Sequence, residues 1–327
     1  MPKNVRHKDM KEIYPLKFRP IYKDKIWGGR NLARLFGRVL PADKKIGESW
    51  ELADLPEGVS SVANGPRQGQ CLTDLLADWS EDLLGTAKPM PDRRFPLLVK
   101  FLDAEDILSL QVHPDVQAVS EIGPTAAVKT ECWYVVESRG GVIYKGVKSG
   151  VGPDQFRQAI ASDNVETVVR RIDVSTGDFH YLPAGTVHAV GPGLVIAEVQ
   201  TPSDTTYRVT DWGRGRQLHI DRSMQCIRFG LTDSQPGASG QTLLVTEHFT
   251  VARRTIPSGQ ELSIHSGHCS ALMALGGRGA IVHAGAGANA TEFAAGDTLV
   301  IPAALKRPRV LADSILTFLE IGIGEQG

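Results

Sequence analysis

The sequence holds only four cysteines in 327 residues, at Cys71, Cys132, Cys226 and Cys269, and no two of them form a CxxC pair. That spacing excludes a disulfide framework and a zinc finger, and leaves buried free thiols in a reducing compartment as the expectation. No apolar run approaches the roughly 20 residues that a helix needs to cross a bilayer. The opening stretch, Met1 to Asp9, is charged and lacks the apolar centre of a secretion signal. A soluble, cytoplasmic chain without a membrane partner is therefore expected. Charge of one sign is missing too, since 36 Lys and Arg face 37 Asp and Glu for a formal net charge of -1. A balance so near zero gives no reason to expect nucleic acid as a partner. Nothing in the pattern fixes an oligomeric state.

Apolar residues are plentiful, at 42%, so the chain can bury a sizeable core and is long enough for two domains. Most of it alternates at the period of short strands. Pro15 to Pro20, Ile21-Tyr22, Glu48 to Leu52, Phe95 to Leu102 and Ile107 to His113 read as extended pieces, with Trp27-Gly28-Gly29-Arg30 as a turn. Trp133 to Glu137 and Val142 to Tyr144 read as a hairpin around Ser138 to Gly141. Two windows switch to helical period, about 70–90 and 153–172. The first carries Leu72, Leu75, Leu76, Trp79, Leu83 and Leu84 on one face, and the second Phe156, Ile160, Val165, Val168, Val169 and Ile172. Thr232 to Gln241 has the composition of a linker and divides the chain into residues 1–235 and 236–327.

Within Leu108-Ser109-Leu110-Gln111-Val112-His113-Pro114, the side chains of Gln111 and His113 lie two residues apart. In a strand both point to one face, and both are metal-ligand types. An internal repeat lies further on. Gly177-Asp178-Phe179-His180-Tyr181-Leu182-Pro183-Ala184 matches Gly296-Asp297-Thr298-Leu299-Val300-Ile301-Pro302-Ala303 position for position, so one fold unit occurs twice. The first copy continues through Gly185 to His188, and the completed pattern resembles the second motif of the cupin superfamily, a small β-barrel or jelly roll with one metal in its mouth. The expected fold is mainly β, with two cupin-type barrels and a small helical insertion.

Gln111 and His113 then fit the first cupin motif, whose glutamate, Glu131, comes unusually late, across an inserted loop around Asp115 to Val128. Together with Trp27-Gly28-Gly29, Gly47 to Glu51, Lys129-Thr130-Glu131, Pro183 to His188 and Glu198 to Trp212, these departures resemble the type I mannose-6-phosphate isomerases in their shorter bacterial form. The motifs run from about Pro15 to Phe229. The last hundred residues agree only in fold.

The resemblance implies an aldose–ketose isomerase that interconverts mannose 6-phosphate and fructose 6-phosphate through an enediol, with a sugar phosphate as its small-molecule partner. A cupin dioxygenase and a non-catalytic sugar-binding bicupin are the alternatives. One zinc per chain, held by Gln111, His113, Glu131 and His188, is implied, a mixed oxygen and imidazole set that suits that ion. Arg208, Glu198 and Lys129 map onto active-site positions, and Lys100, Ser109, Trp27 and Glu48 onto substrate contacts. Lys100 has a second reading, as an edge-strand lysine that blocks aggregation. The base stays open between Glu198, a water on the metal and His188. In the second copy, Ser263, His265, Ser270 and Arg307 stand opposite the four ligands, so that barrel is expected to be without metal.

Overall fold

A computed structural model describes residues 12–231, 233–284 and 290–324. Its strands form two barrels, each made of a large and a small antiparallel sheet. In the first, the large sheet runs in the order Phe179–Leu182, Glu131–Ser138, Leu194–Gln200, Leu98–Ala104, Ile21–Gly29, Ile46–Leu52. It faces a sheet ordered Val169–Asp173, Val142–Val147, His188–Val190, Leu110–Val112, Tyr207–Thr210. The second barrel repeats the plan. Its large sheet is ordered Leu16–Lys17, Thr298–Ile301, Ser270–Gly276, Leu316–Ile323, Phe249–Ile256, Thr242–Val245, and its small one Glu261–Ser263, Arg309–Ala312, Arg278–Val282, Thr291–Ala294.

The sequence repeat has a local cause. Gly177 and Gly296 turn the chain with φ of 97° and 90°, where a side chain is strained. The aspartate that follows each folds back to accept a backbone N–H three residues earlier, Asp178 from Ser175 and Asp297 from Ala294. The strand after each turn takes the same place in its sheet.

The two large sheets pack outer face to outer face. Val99, Phe101, Val195, Ala197 and Val199 of the first meet Val251, Ala271, Met273, Val300, Leu319 and Ile321 of the second in one buried cluster. The N-terminal strand crosses over, pairing Leu16 and Lys17 with Val300 and Leu299. The inner faces of the first barrel line the site.

Several readings of the sequence change. Glu131–Ser138 and Val142–Val147 do not form a hairpin, because the first pairs within the large sheet and the second within the small one. The bend at Ser138 to Gly141 carries the chain from sheet to sheet. Trp27-Gly28-Gly29 is strand rather than turn. Gly28 is there because a Cβ would come within 2.4 Å of the Gly47 backbone nitrogen on the neighbouring strand. The window 153–172 is helical only over Pro153–Ala161 and, as a 3-10 turn, Val165–Thr167, while Val169–Asp173 is a strand. Asp163, at φ 54°, ends the helix. Phe156, Val165 and Val169 nevertheless bury in the same cluster, so helix and strand together mimic one helical stripe. The window 70–90 holds two short helices, Leu72–Trp79 and Glu81–Leu84, whose expected apolar face is buried. Among the described residues no helix is long and apolar enough to cross a membrane.

Candidate metal centre and cleft

Antiparallel register explains how distant residues meet. Across the small sheet, Arg208 lies opposite Gln111, Gln111 opposite His188, and His188 opposite Lys145. Directly opposed residues share a face, so these side chains point together into the barrel. Across the large sheet the facing row is Trp50, Lys100, Glu198, Trp133 and His180. Glu131 precedes Trp133 by two residues and shares its face, and His113 extends the Gln111 strand by two. The strand expected over Ile107 to His113 is shorter, covering Leu110–Val112.

Where the two rows meet, His113 Nε2 is 3.4 Å and His188 Nε2 3.2 Å from the two oxygens of Glu131. The ligand atoms of these three residues all lie within 4.8 Å of one another. Each imidazole is oriented from behind. His113 Nδ1 reaches the Thr205 carbonyl at 2.9 Å and His188 Nδ1 that of Thr186 at 2.8 Å. A ring that donates from Nδ1 to a carbonyl keeps a lone pair on Nε2, aimed here at the centre. Burial, with Lys129 adding to it, pushes the His113 pKa down to about 3, so the ring is neutral. Burial also opposes charge on Glu131, but the ammonium of Lys129, 3.1 Å away, holds that carboxyl well below the usual range.

Buried His113 Nε2 and Glu131 Oε1 have no hydrogen-bond partner, and Glu131 Oε2 has only its ion pair with Lys129. Polar atoms so placed are costly unless something binds them, and a neutral imidazole pair facing a carboxylate is the donor set a divalent cation takes. Gln111 adds a fourth donor, with its Nε2 3.3 Å from His188 Nε2. A half-turn of the amide would present Oε1 instead.

Beside this centre opens a cleft of about 250 Å³, and every residue expected to touch substrate borders it: Trp27, Glu48, Lys100, Ser109, Lys129, Glu198 and Arg208. Lys100 is not on an edge strand. Its strand lies inside the large sheet, and its buried ammonium sits 3.1 Å from Glu198 and 3.7 Å from Glu48. The two carboxyls diverge. Burial raises the Glu48 pKa, but Lys100 and Lys25 overcome it and bring the value down to about 2. For Glu198, burial and the charge of Glu131 prevail over Lys100, so its pKa is raised. Trp133 Nε1 donates to one Glu198 oxygen at 3.0 Å, and the other, though in the ion pair, has no hydrogen-bond donor.

The sequence reading missed Lys25, Asp204, Thr206 and Arg216, which also line the cleft. Lys25 bonds Glu48 at 2.8 Å, and Arg216 is held by Asp211. Asp204 and Thr206 lie within the motif stretch Glu198 to Trp212, and a run of alternating Gly and Arg from Gly213 to Arg216 was the available signal. Among the described residues lining the cleft, Arg208 is the cation without a carboxylate within 4.0 Å. It bonds only the Gln217 carbonyl, at 2.7 Å, and its buried Nε is unpaired.

Residues 16–134 match the family described as phosphomannose isomerase type I, catalytic domain. A mannose-6-phosphate isomerase of Streptococcus mutans is 36% identical over 309 residues, which cover 89% of this chain and 93% of that protein. The chain belongs to the type I phosphomannose isomerases. A second family member, the mannose-6-phosphate isomerase ManA of Bacillus subtilis, is 37% identical over 221 residues, 65% of this chain and 68% of that protein. The crystal structure of mannose 6-phosphate isomerase from Bacillus subtilis shares the phosphomannose isomerase fold seen here at a TM-score of 0.85. It has 29% identity, with 94% of this chain and 99% of that one covered. The Streptococcus mutans match reaches into the last hundred residues, where the motifs alone gave only a likeness of fold.

Proposed function

We propose that this protein is a metal-dependent aldose–ketose isomerase that interconverts mannose 6-phosphate and fructose 6-phosphate through an enediol. The observation that carries the reading is one juxtaposition. A buried set of His113, Glu131 and His188, with the half-buried Gln111 beside it, opens onto a cleft that holds a carboxyl of raised pKa and a guanidinium without a carboxylate partner. We assign one zinc per chain to those four residues. When bound, it supplies Lewis-acid polarisation of the substrate's carbonyl and hydroxyl oxygens.

The remaining chemistry falls to the chain itself. Isomerisation moves a proton between C2 and C1 on one face of the sugar. Glu198 is placed to take it and return it: it is buried, with one oxygen fixed by Trp133 and the other in an ion pair with Lys100. Its raised pKa brings it nearer the working pH of a general base, while Glu48 on the same lysine stays charged. Arg208 cannot act as a base but can stabilise the oxyanion that develops as the proton leaves. Lys129, on the carboxylate of Glu131, and Ser109, 3.4 Å from Gln111 Oε1, border the same space. With Lys100 they are our candidates for orienting the phosphate and hydroxyls, and Trp27 closes one side. Four unpaired thiols fit the reducing cytoplasm.

The test is direct. Purified protein incubated with mannose 6-phosphate is expected to form fructose 6-phosphate, to stop when a chelator is added, and to resume with zinc. Absence of turnover with zinc restored overturns the reading. Glu198→Gln is expected to lower kcat roughly 10²–10⁴-fold, the range for loss of a general base, with metal content unchanged.

A further inference from the structure

The second barrel keeps the topology of this site while losing its ligands. Ladder register places Ser270 beside Ile301 as Glu131 is beside Leu182, and Glu320 opposite Leu272 as Glu198 is opposite Trp133. Ser263 takes the place of Gln111, and its cross-strand partner, standing where His188 stands, is Arg309. This shifts the expected counterpart from Arg307 by two residues, because the loop after Pro302 is longer by two than the loop after Pro183.

On the large-sheet side of this mouth, where Ser270 and Glu320 stand, lies a cleft of about 720 Å³, bordered by Arg254, Glu320, Ser270, Thr250, His265 and His268, while Ser263 and Arg309 border a separate one. That is within the roughly 300–1,000 Å³ of small-molecule sites. It is built rather than left over. Ser270 is buried, and its Oγ has no hydrogen-bond partner. Gly322 separates Ser270 from Thr250 across the sheet, and a Cβ there would come within 2.6 Å of Thr250 Oγ1. The first barrel's pairing of a glutamate with a cation is also kept: Arg254 Nε lies 2.7 Å from Glu320 Oε2, both partly exposed.

We propose that this second mouth binds a neutral hexose. The charges of Arg254 and Glu320 cancel, so a phosphate finds no net attraction here, unlike the first cleft with its unpaired Arg208. An arginine–carboxylate pair presents N–H donors and acceptor lone pairs side by side, matching vicinal sugar hydroxyls that donate and accept at once. Ser270 and Thr250 supply two more such groups, and the two imidazoles edge the opening.

The probe is methyl α-D-mannoside, whose blocked anomeric carbon prevents isomerisation, observed by saturation-transfer NMR on the full-length protein. We expect saturable binding that persists in Glu198→Gln. Binding should be lost in Ser270→Phe, which fills the mouth, and weakened at least tenfold in Glu320→Gln, a smaller change that keeps the side-chain shape. Melting temperature checks that both variants are folded. Absence of signal with the native protein overturns the proposal. So does binding that survives both mouth substitutions, or that inorganic phosphate displaces.

Discussion

Lys100 shows how much one buried charge organises. Its ammonium lies between Glu198 and Glu48, 5.5 Å from the centre of the Trp50 ring, with 3% of the residue exposed. Removing one member of a buried charge set leaves the others uncompensated, which costs about 3–5 kcal/mol. Lys100→Met is therefore expected to destabilise the protein by that order, read from the midpoint of urea unfolding. An unchanged midpoint would mean that the three charges are solvated after all. The pH dependence follows from Glu48. Its pKa falls from 4.5 to about 2 on folding, so its stabilisation is complete above about 4.5 and is lost as pH drops towards 2. By linkage it amounts to roughly 3 kcal/mol. In Lys100→Met, the acid loss of stability is expected to begin at higher pH. The sequence exposed this residue as a lysine interrupting an apolar strand, but its neighbours come from strands about 50 and 100 positions away. No local pattern tells a docking lysine from one already neutralised.

Among the elements, the insertion between His113 and Glu131 was visible as a gap in motif spacing, but its content was not. It forms a helix, Val116–Ile122, capped by Asp115, whose carboxylate accepts the Ala118 N–H at 2.8 Å and also pairs with Arg228. This helix follows the strand that carries Gln111 and His113, so the cap ties the ligand strand to Arg228 in the chain beyond Cys226. Asp115→Ala removes cap and ion pair and is expected to cost about 1–2 kcal/mol, while Asp115→Asn keeps the cap and should cost less. Equal losses in chemical unfolding would refute the separation of the two roles. Strand existence was mostly legible, because alternation is local. Sheet membership was not: Glu131–Ser138 and Val142–Val147 have the sequence of a hairpin yet serve opposite sheets, and only long-range partners decide that. The buried set His113, Glu131 and His188 was legible for the converse reason. Ligand chemistry tolerates few residue types, and the Gly-Asp turn marks the segment that leads to His188.

At the scale of the whole molecule, the barrels are joined through the faces that neither uses for a site. Val99, Phe101 and Val199 on one side and Val300, Leu319 and Ile321 on the other are at most 1% exposed. Leu16 and Lys17 also complete the second barrel's sheet from the N-terminal side. The described strands from Thr242–Val245 onward all lie in the second barrel, but Leu16–Lys17 lies there too, so the linker-like composition of Thr232 to Gln241 is not a plane along which the molecule can be parted. Residues 12–235 alone would expose the apolar sheet face that carries Val99, Phe101, Val195, Ala197 and Val199, a contiguous patch of the kind that monomers rarely leave uncovered. That fragment is expected to aggregate or to bind an apolar dye, whereas the full chain should unfold in one calorimetric transition. Leu319→Asp places an unpaired charge in the shared cluster, which cannot be accommodated without opening it. If the barrels support each other, this substitution in the second barrel will lower the melting temperature of both together and release metal from the first at the same temperature. Two separate transitions, with the first barrel unshifted, would instead make the contact a docking of independently stable units.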